Sequence, residues 1–181
     1  MSKHTYILAI IVVLLCWLAS YNQDQKETEI EKDISNSTPA EILEPDNKLE
    51  YAPVNASFSN KEIDCLARNI YFEAAVEPTI GKVAVAQVTL NRVKAKLWGN
   101  SVCKVVYAKK QFSWTSVSKR AWVHLDDKQW HLSKLIAQKV LNDGLRVHGL
   151  ENAKFYHADY VNPGWKDKNS LVGKIGQHIF Y

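Results

Sequence analysis

One glutamate occupies a position where a helix would otherwise direct apolar side chains into the protein core. Ser59 and Glu62 have the spacing of a capping box at a helix start. Apolar residues follow at helical intervals, at Ile63, Leu66 and Ile70. At about 100° per residue, Glu73 falls within about 20° of Leu66 and shares this apolar stripe. Burial there would raise the pKa of its carboxyl, as a general acid working near neutral pH requires; a helix-end glutamate that simply reaches solvent is the alternative.

The elements that must position Glu73 are mainly helical. Pro78 has the right place to open a second helix that runs to Leu97. A short helix is predicted over 101–108, and a third long helix runs from a second capping box at Asp126 to Gly144. Gln111–Thr115 alternates polar and aromatic residues, which is typical of a strand or an extended loop.

The last thirty residues contain short apolar and aromatic stretches separated by Gly and Pro, which predict short strands joined by turns. The fold class is therefore α+β: a mainly helical lobe with a small antiparallel β-sheet or hairpin. We expect a groove between the two parts.

The N-terminal segment has the composition expected of an export signal. Nineteen uncharged residues run from Thr5 to Gln23, long enough as a helix to cross a bilayer's hydrocarbon core of about 30 Å. A cleaved signal peptide also fits the basic start and apolar stretch, but the site after Ala19 is a poor match for cleavage. We expect residues 1–21 to be an uncleaved membrane anchor or, alternatively, a signal sequence, with the rest of the chain outside the cytoplasmic membrane.

The charges divide the remaining 160 residues into two parts. Residues 22–50 hold nine acidic residues against three lysines and almost no large apolar residues, which predicts a disordered linker over 22–56. Residues 51–181 hold 19 Lys and Arg against 10 Asp and Glu, a net charge of +9 where the whole chain has +4. This charge favours an anionic cell-wall polymer as partner; nucleic acid is not expected, because we expect the chain to be exported and it has no nucleic-acid-binding motif.

The folded part, predicted as 57–181, contains two cysteines, Cys65 and Cys103. An even pair in an exported chain predicts a disulfide, and two separate buried thiols are the alternative.

Several stretches of the chain resemble the SleB family of cell-wall hydrolases, named for the spore cortex-lytic enzyme. In chain order, these stretches are Leu66–Ala74, Gly81–Val88, Leu90–Val93, Val105–Tyr107, Gln111–Trp114, Phe155–His157 and Gly176–Tyr181. The resemblance covers residues 60–181 and implies a lysozyme-like fold. It also implies cleavage of peptidoglycan between N-acetylmuramic acid and N-acetylglucosamine, with Glu73 as the catalytic residue. Many members have Tyr-Gly-Glu-Ala where this chain has Phe72 before Glu73, a change beside the acid that leaves the carboxylate intact.

Hydrolysis and lytic transglycosylation differ in whether they need a second carboxylate besides Glu73. A hydrolytic muramidase needs a second carboxylate as nucleophile or base. Glu77 is predicted only to cap the turn before Pro78, which leaves Asp143 and Asp159 as weak candidates. A lytic transglycosylase needs no second acid, because the same glutamate activates the muramic acid 6-hydroxyl and leaves a 1,6-anhydro end. The resemblance points to this chemistry, and we expect it over hydrolysis.

Sugar rings need flat apolar partners and polar groups for their substituents. The residues expected to bind substrate are Gln111, Phe112, Ser113, Trp114, Asn91, Tyr156 and His157. The aromatic residues among them could instead belong to the core, and Asn91 or its neighbour Arg92 could only tie a helix to the sheet.

Other functions have weaker support. A zinc amidase using His157, Asp159 and His178 lacks the usual ligand spacing, so no metal or cofactor is expected. A non-catalytic wall-binding module would gain nothing from burying an acid. We expect a monomeric enzyme acting on peptidoglycan glycan strands, either as a resident periplasmic enzyme or as an endolysin.

Overall fold

The computed structural model describes residues 48–54, 56–116, 128–166 and 169–181. The elements, in chain order, are β1 (Leu49–Tyr51), α1 (Asn60–Ala74), α2 (Thr79–Ala95), α3 (Val102–Val106), a 3-10 helix (Ser113–Ser116), α4 (Lys128–Gln138) continued by a π-helical turn (Lys139–Asp143), β2 (Leu145–Val147), β3 (Tyr156–Ala158), β4 (Gly173–Ile175) and β5 (His178–Phe180). The α+β class, with a mainly helical lobe and small antiparallel sheets, is confirmed.

Helix α1 begins as its sequence predicts. The Ser59 side chain accepts a hydrogen bond from the Glu62 backbone N–H, and the Glu62 side chain accepts one from the Ser59 N–H. This reciprocal pairing satisfies backbone donors that the first turn of a helix leaves free. The predicted apolar stripe is buried, with Leu66 and Ile70 fully inaccessible to solvent.

Helix α2 is the central helix of the lobe. Every residue from 81 to 89 is buried, because α1, α3, α4 and β2 all pack around it. A disulfide joins Cys65 on α1 to Cys103 on α3, which confirms the predicted pair. Closing a loop with a sequence separation of 38 residues restricts the unfolded chain and so stabilises the folded one.

The folded part starts earlier than predicted. Strand β1 pairs antiparallel with β2, with Leu49 opposite Val147 and Tyr51 opposite Leu145. The prediction of disorder as far as residue 56 is therefore wrong at the C-terminal end of the linker, because Leu49 and Tyr51 find partners that lie almost a hundred residues later in the chain. The predicted anchor (1–21) and the remainder of the linker up to residue 47 lie outside the described residues. Of the helices that are described, none is long and apolar enough to cross a membrane.

Gly144 ends the π-helical turn that continues α4 and lets the chain segment after β1 pass close to it. Its φ is +79°, in the left-handed region that favours glycine. A Cβ atom at this position would lie 1.9 Å from the Ala52 carbonyl oxygen, and the Ala52 N–H donates to the Gly144 carbonyl at 2.9 Å. The predicted helix end is confirmed, whereas the predicted capping box at Asp126 lies outside the described residues.

The second sheet contains the three C-terminal strands in the order β3-β5-β4, all antiparallel. Strand β5 is central, so Phe180 lies opposite both Tyr156 and Gly173. The predicted short strands joined by turns are confirmed for this segment.

The prediction of a strand or extended loop at 111–115 is wrong in its second half. Residues Ser113–Ser116 form a 3-10 helix, and both the backbone N–H and the side-chain hydroxyl of Thr115 donate to the Phe112 carbonyl. Phe112 and Trp114 are both buried, at 3% and 8% exposure. A tight turn can bury two residues that are two positions apart, as a strand does. The alternation of polar and aromatic residues at 111–115 therefore does not distinguish the two structures.

Candidate active site

Glu73 lies in the last turn of α1, where the apolar stripe meets the three-stranded sheet. The Tyr156 hydroxyl, on β3, donates a hydrogen bond of 3.0 Å to Glu73 Oε2. Helix and sheet are thus joined at this carboxylate by two residues that are 83 positions apart in the chain.

The electrostatic environment favours the protonated form of Glu73. Burial raises the pKa of the Glu73 carboxyl above its ordinary value, while the hydrogen bond from Tyr156 and the positive charge of Arg92 partly oppose this rise. Burial and the nearby carboxylate also raise the pKa of the Tyr156 phenol well above its ordinary value, so Tyr156 keeps the proton that it donates. The carboxyl therefore holds its proton more tightly than an exposed glutamate does, which suits a general acid.

A groove of about 610 Å³ opens at this carboxyl. The residues that line it are Glu73, Arg92, Lys110, Gln111, Phe112, Ser113, Ser116 and Tyr156. The structure therefore brings together five residues of the sequence-predicted site: Glu73, Gln111, Phe112, Ser113 and Tyr156. Lys110 and Ser116 also line the groove but were not predicted. In the sequence, a lysine or serine in a groove cannot be distinguished from one on an ordinary surface.

Trp114 lies behind the groove wall, not on it. Its ring stacks on Phe72 with 4.6 Å between ring centroids, and its indole N–H donates to the Asn69 side chain at 3.1 Å. Asn69 in turn donates to the Thr89 hydroxyl on α2. Phe72 therefore supplies a ring that packs against Trp114, beside the acid.

Asn91 and His157 also lie outside the set of lining residues. The Asn91 side-chain amide donates to the carbonyls of Leu150 and Ala153, both at 2.8 Å, which ties α2 to the chain segment before β3. His157 lies 3.1 Å from the Tyr181 hydroxyl and stacks on the Tyr181 ring. In the described structure both residues have contacts that support the fold.

The proposed amidase ligands are not gathered into one site. The Asp159 carboxylate pairs with Lys174 at 2.7 Å, and the hydrogen bond from Lys174 lowers the pKa of Asp159. His178 Nδ1 faces the Glu77 carboxylate at 3.8 Å. In the described part of the chain, the group of potential ligands close enough to hold a metal is instead Glu50, His148 and Glu151, at the β1–β2 edge.

Glu77 does more than cap a turn, so that prediction is wrong. The side chain is 5% exposed, and its Oε2 accepts a hydrogen bond of 3.1 Å from the Gln177 backbone N–H. Gly176, with φ of +55°, passes so close that a Cβ atom there would lie 1.8 Å from Oε2. The Lys82 ammonium donates to the backbone carbonyls of Ala75 and Glu77, on the same α1–α2 turn. Glu77 therefore fastens the β4–β5 turn to the helical lobe, through contacts that no local pattern predicts.

The comparisons with known proteins agree with this architecture. Residues 76–181 match the sequence model of a family described as Cell Wall Hydrolase. The spore cortex-lytic enzyme of Bacillus cereus is 31% identical over 160 residues, covering 86% of this chain and 56% of that protein. The spore cortex-lytic enzyme of Bacillus subtilis is 29% identical over 149 residues, covering 80% and 45% respectively. The chain thus spans about half the length of the curated relatives it matches.

Two solved structures are similar in fold. The catalytic domain of the Bacillus cereus SleB protein superposes with a TM-score of 0.58 at 29% identity, covering 70% of this chain and 94% of that domain. The catalytic domain of the germination-specific lytic transglycosylase SleB from Bacillus anthracis gives a TM-score of 0.54 at 28% identity, covering 70% and 98%. By sequence and by fold, this chain belongs to the SleB-like family of cell wall hydrolases.

Proposed function

We propose that this protein cleaves the glycan strand of peptidoglycan between N-acetylmuramic acid and N-acetylglucosamine, as a lytic transglycosylase with Glu73 as general acid and base. The observation that carries the proposal is that Glu73 is the single carboxylate among the described residues lining the groove, and that its pKa is raised by burial. The names of the relatives, a spore cortex-lytic enzyme and a lytic transglycosylase, support the same substrate and reaction.

The first step uses Glu73 as an acid. Its carboxyl proton passes to the glycosidic oxygen, the bond from C1 of muramic acid to that oxygen breaks, and N-acetylglucosamine leaves with a free 4-hydroxyl. Positive charge develops at C1 as in other glycosidases. Glu73 is now a carboxylate held in place by the hydrogen bond from Tyr156.

The second step uses the same side chain as a base. The Glu73 carboxylate removes the proton from the 6-hydroxyl of muramic acid, and that oxygen bonds to C1 to close a 1,6-anhydro ring. Glu73 ends protonated, ready for another cycle, and no water is consumed. One carboxyl performs both transfers, so the groove needs no second acid.

The proposed place of action is the cell wall outside the cytoplasmic membrane. Residues 1–21 would hold the protein at the membrane, and the acidic linker would let the enzyme domain reach the wall. The net charge of +9 over residues 51–181 favours approach to an anionic polymer.

Mass spectrometry of the products tests the proposal. The full-length chain is incubated with purified peptidoglycan and the released fragments are weighed. Anhydro-muramic ends, lighter by one water than reducing ends, are the expected result. Reducing ends would establish hydrolysis instead, EDTA-sensitive release of free stem peptides an amidase, and binding without release a wall-binding module.

A further inference from the structure

Arg92 is a buried cation at the groove wall that none of the steps above uses. It lies in the last turn of α2, is 6% exposed and lines the groove together with Glu73. Its Nε–H donates to the Lys154 carbonyl at 2.8 Å, which fixes one edge of the planar guanidinium.

The rest of the guanidinium is surrounded by aromatic rings. Its central carbon lies 5.0 Å from the centroid of Phe112, 5.5 Å from that of Trp98 and 6.0 Å from that of Phe155. Ring faces attract a cation but accept no conventional hydrogen bond from it. Nη1 is shielded from water and has no hydrogen-bond acceptor among the described residues.

Such an unused donor is costly to leave in a buried place, because a buried polar group without a partner loses its hydration and gains nothing in return. The positive charge of Arg92 also limits which part of the substrate its free N–H group can bind. A cation beside C1 would repel the positive charge that develops there, so Arg92 does not serve the reacting carbon directly. It suits an electron-rich substituent of a sugar bound next to Glu73.

We infer that the Arg92 guanidinium binds a carbonyl or carboxylate oxygen of the glycan strand, either an N-acetyl carbonyl or the lactyl carboxyl of muramic acid. The inference rests on the proposed function, since it assigns a substrate contact in the same groove. Bound in this way, the oxygen becomes the acceptor for Nη1 once the side chains that shield this atom move apart, and it sets the position of the glycosidic bond relative to Glu73. Phe112, which also lines the groove, holds the guanidinium on one side.

Binding measurements test the inference apart from catalysis. Full-length Glu73→Gln protein is titrated calorimetrically with two probes: tetra-N-acetyl chito-oligosaccharide, which has no lactyl group, and peptidoglycan glycan strands stripped of stem peptides. Adding Arg92→Lys keeps the positive charge but removes the planar fork, and is expected to weaken binding roughly 10- to 100-fold. The matched control is Arg146→Lys, since Arg146 is also partly buried but donates to the Val140 and Leu145 carbonyls and does not line the groove.

The outcomes show which substrate oxygen Arg92 binds, and they distinguish failure of this inference from failure of the proposed function. Loss with both probes assigns the N-acetyl carbonyl, and loss with the stripped strands alone assigns the lactyl carboxyl. Unchanged affinity, or a loss equal to that of Arg146→Lys, overturns the inference while the proposed function stands. Failure of the Glu73→Gln protein itself to bind either probe overturns both the inference and the proposed function.

A second measurement covers the case in which Arg92→Lys does not fold. In the Glu73→Gln protein, the guanidinium N–H signal of Arg92 is identified by NMR from its proximity to the Phe112 ring, whose centroid lies 5.0 Å from the guanidinium carbon. Addition of the chito-oligosaccharide or the stripped strands is expected to shift this signal. A signal that stays in place while the probe binds overturns the inference.

Discussion

Tyr156 and Glu73 share a hydrogen bond of 3.0 Å that joins the edge strand of the small sheet to the last turn of the first helix. Burial raises the pKa of both groups, so the phenol remains a hydrogen-bond donor while the carboxyl holds its proton more tightly than an exposed glutamate does. The proposed role of Glu73 as acid and base rests on this difference.

Removing the Tyr156 hydroxyl should move the pH dependence of cleavage. The hydrogen bond stabilises the charged carboxylate and so lowers the pKa of Glu73; Tyr156→Phe should raise that pKa. The alkaline limb of the profile of kcat/KM against pH should then shift to higher pH, with activity reduced about tenfold or more because the carboxyl is less well positioned. Tyr181→Phe is the control, since the Tyr181 hydroxyl contacts His157 and does not line the groove. An alkaline limb that stays in place in Tyr156→Phe would contradict this role.

Glu73→Gln should make the protein more stable at neutral pH. Burial raises the pKa of Glu73 in the folded state above the ordinary value of 4.5, so above that pH the unfolded chain has lost a proton that the folded one retains. Stability is therefore lost as pH rises from about the ordinary value through the folded pKa, and a neutral amide avoids the loss. The melting temperature of Glu73→Gln should exceed that of the parent at pH 7, with the difference fading below pH 4.5. Equal melting temperatures at pH 7 would contradict this prediction, because they would mean that the Glu73 carboxylate does not destabilise the folded state.

The close approach of Gly176 to Glu77 predicts a sharp contrast between two glycines. Gly176→Ala adds a Cβ 1.8 Å from Glu77 Oε2 at a residue with φ of +55°, whereas a Cβ at Gly164 meets nothing within 4 Å. Strain and crowding should cost Gly176→Ala roughly 2 kcal/mol or more of unfolding free energy, measured by urea denaturation. Gly164→Ala should lie close to the parent. Similar stabilities for the two variants would show that the β4–β5 turn does not pack on Glu77 in this way.

The disulfide should contribute substantially to stability. Replacing Cys65 and Cys103 by Ala frees a loop of 38 residues in the unfolded chain, which should cost about 4 kcal/mol. Guanidinium unfolding of the parent with and without reductant provides the comparison. Reductant should lower the parent's midpoint toward that of the double variant and leave the variant unchanged; a parent insensitive to reductant would contradict a stabilising bridge.

Local patterns were sufficient for the start and the buried face of the first helix. The reciprocal contacts of Ser59 and Glu62 depend on residues three apart, so they can be read directly from the sequence. The stripe through Leu66 to Glu73 follows from helical periodicity in the same way. These short-range features also located the acid of the candidate site.

Features that depend on distant partners could not be predicted in this way. Strand β1 lies in an acidic stretch and becomes ordered by pairing with residues 145–147. The burial of Glu77 depends on a turn a hundred residues away, and the place of Arg92 at the groove depends on Phe112 and on the carbonyl of Lys154. Such contacts require the tertiary fold, because no spacing along the chain encodes them.

The most direct test of the catalytic role of Glu73 compares two glutamate-to-glutamine variants on the same helix. Glu62→Gln is the control, because glutamine also suits a capping box at the other end of α1. Release of soluble fragments from purified peptidoglycan is measured for both full-length variants, with folding checked by circular dichroism. We expect Glu73→Gln to be folded and to have lost glycan cleavage, while Glu62→Gln cleaves like the parent; cleavage by folded Glu73→Gln at the parent's rate would contradict the account.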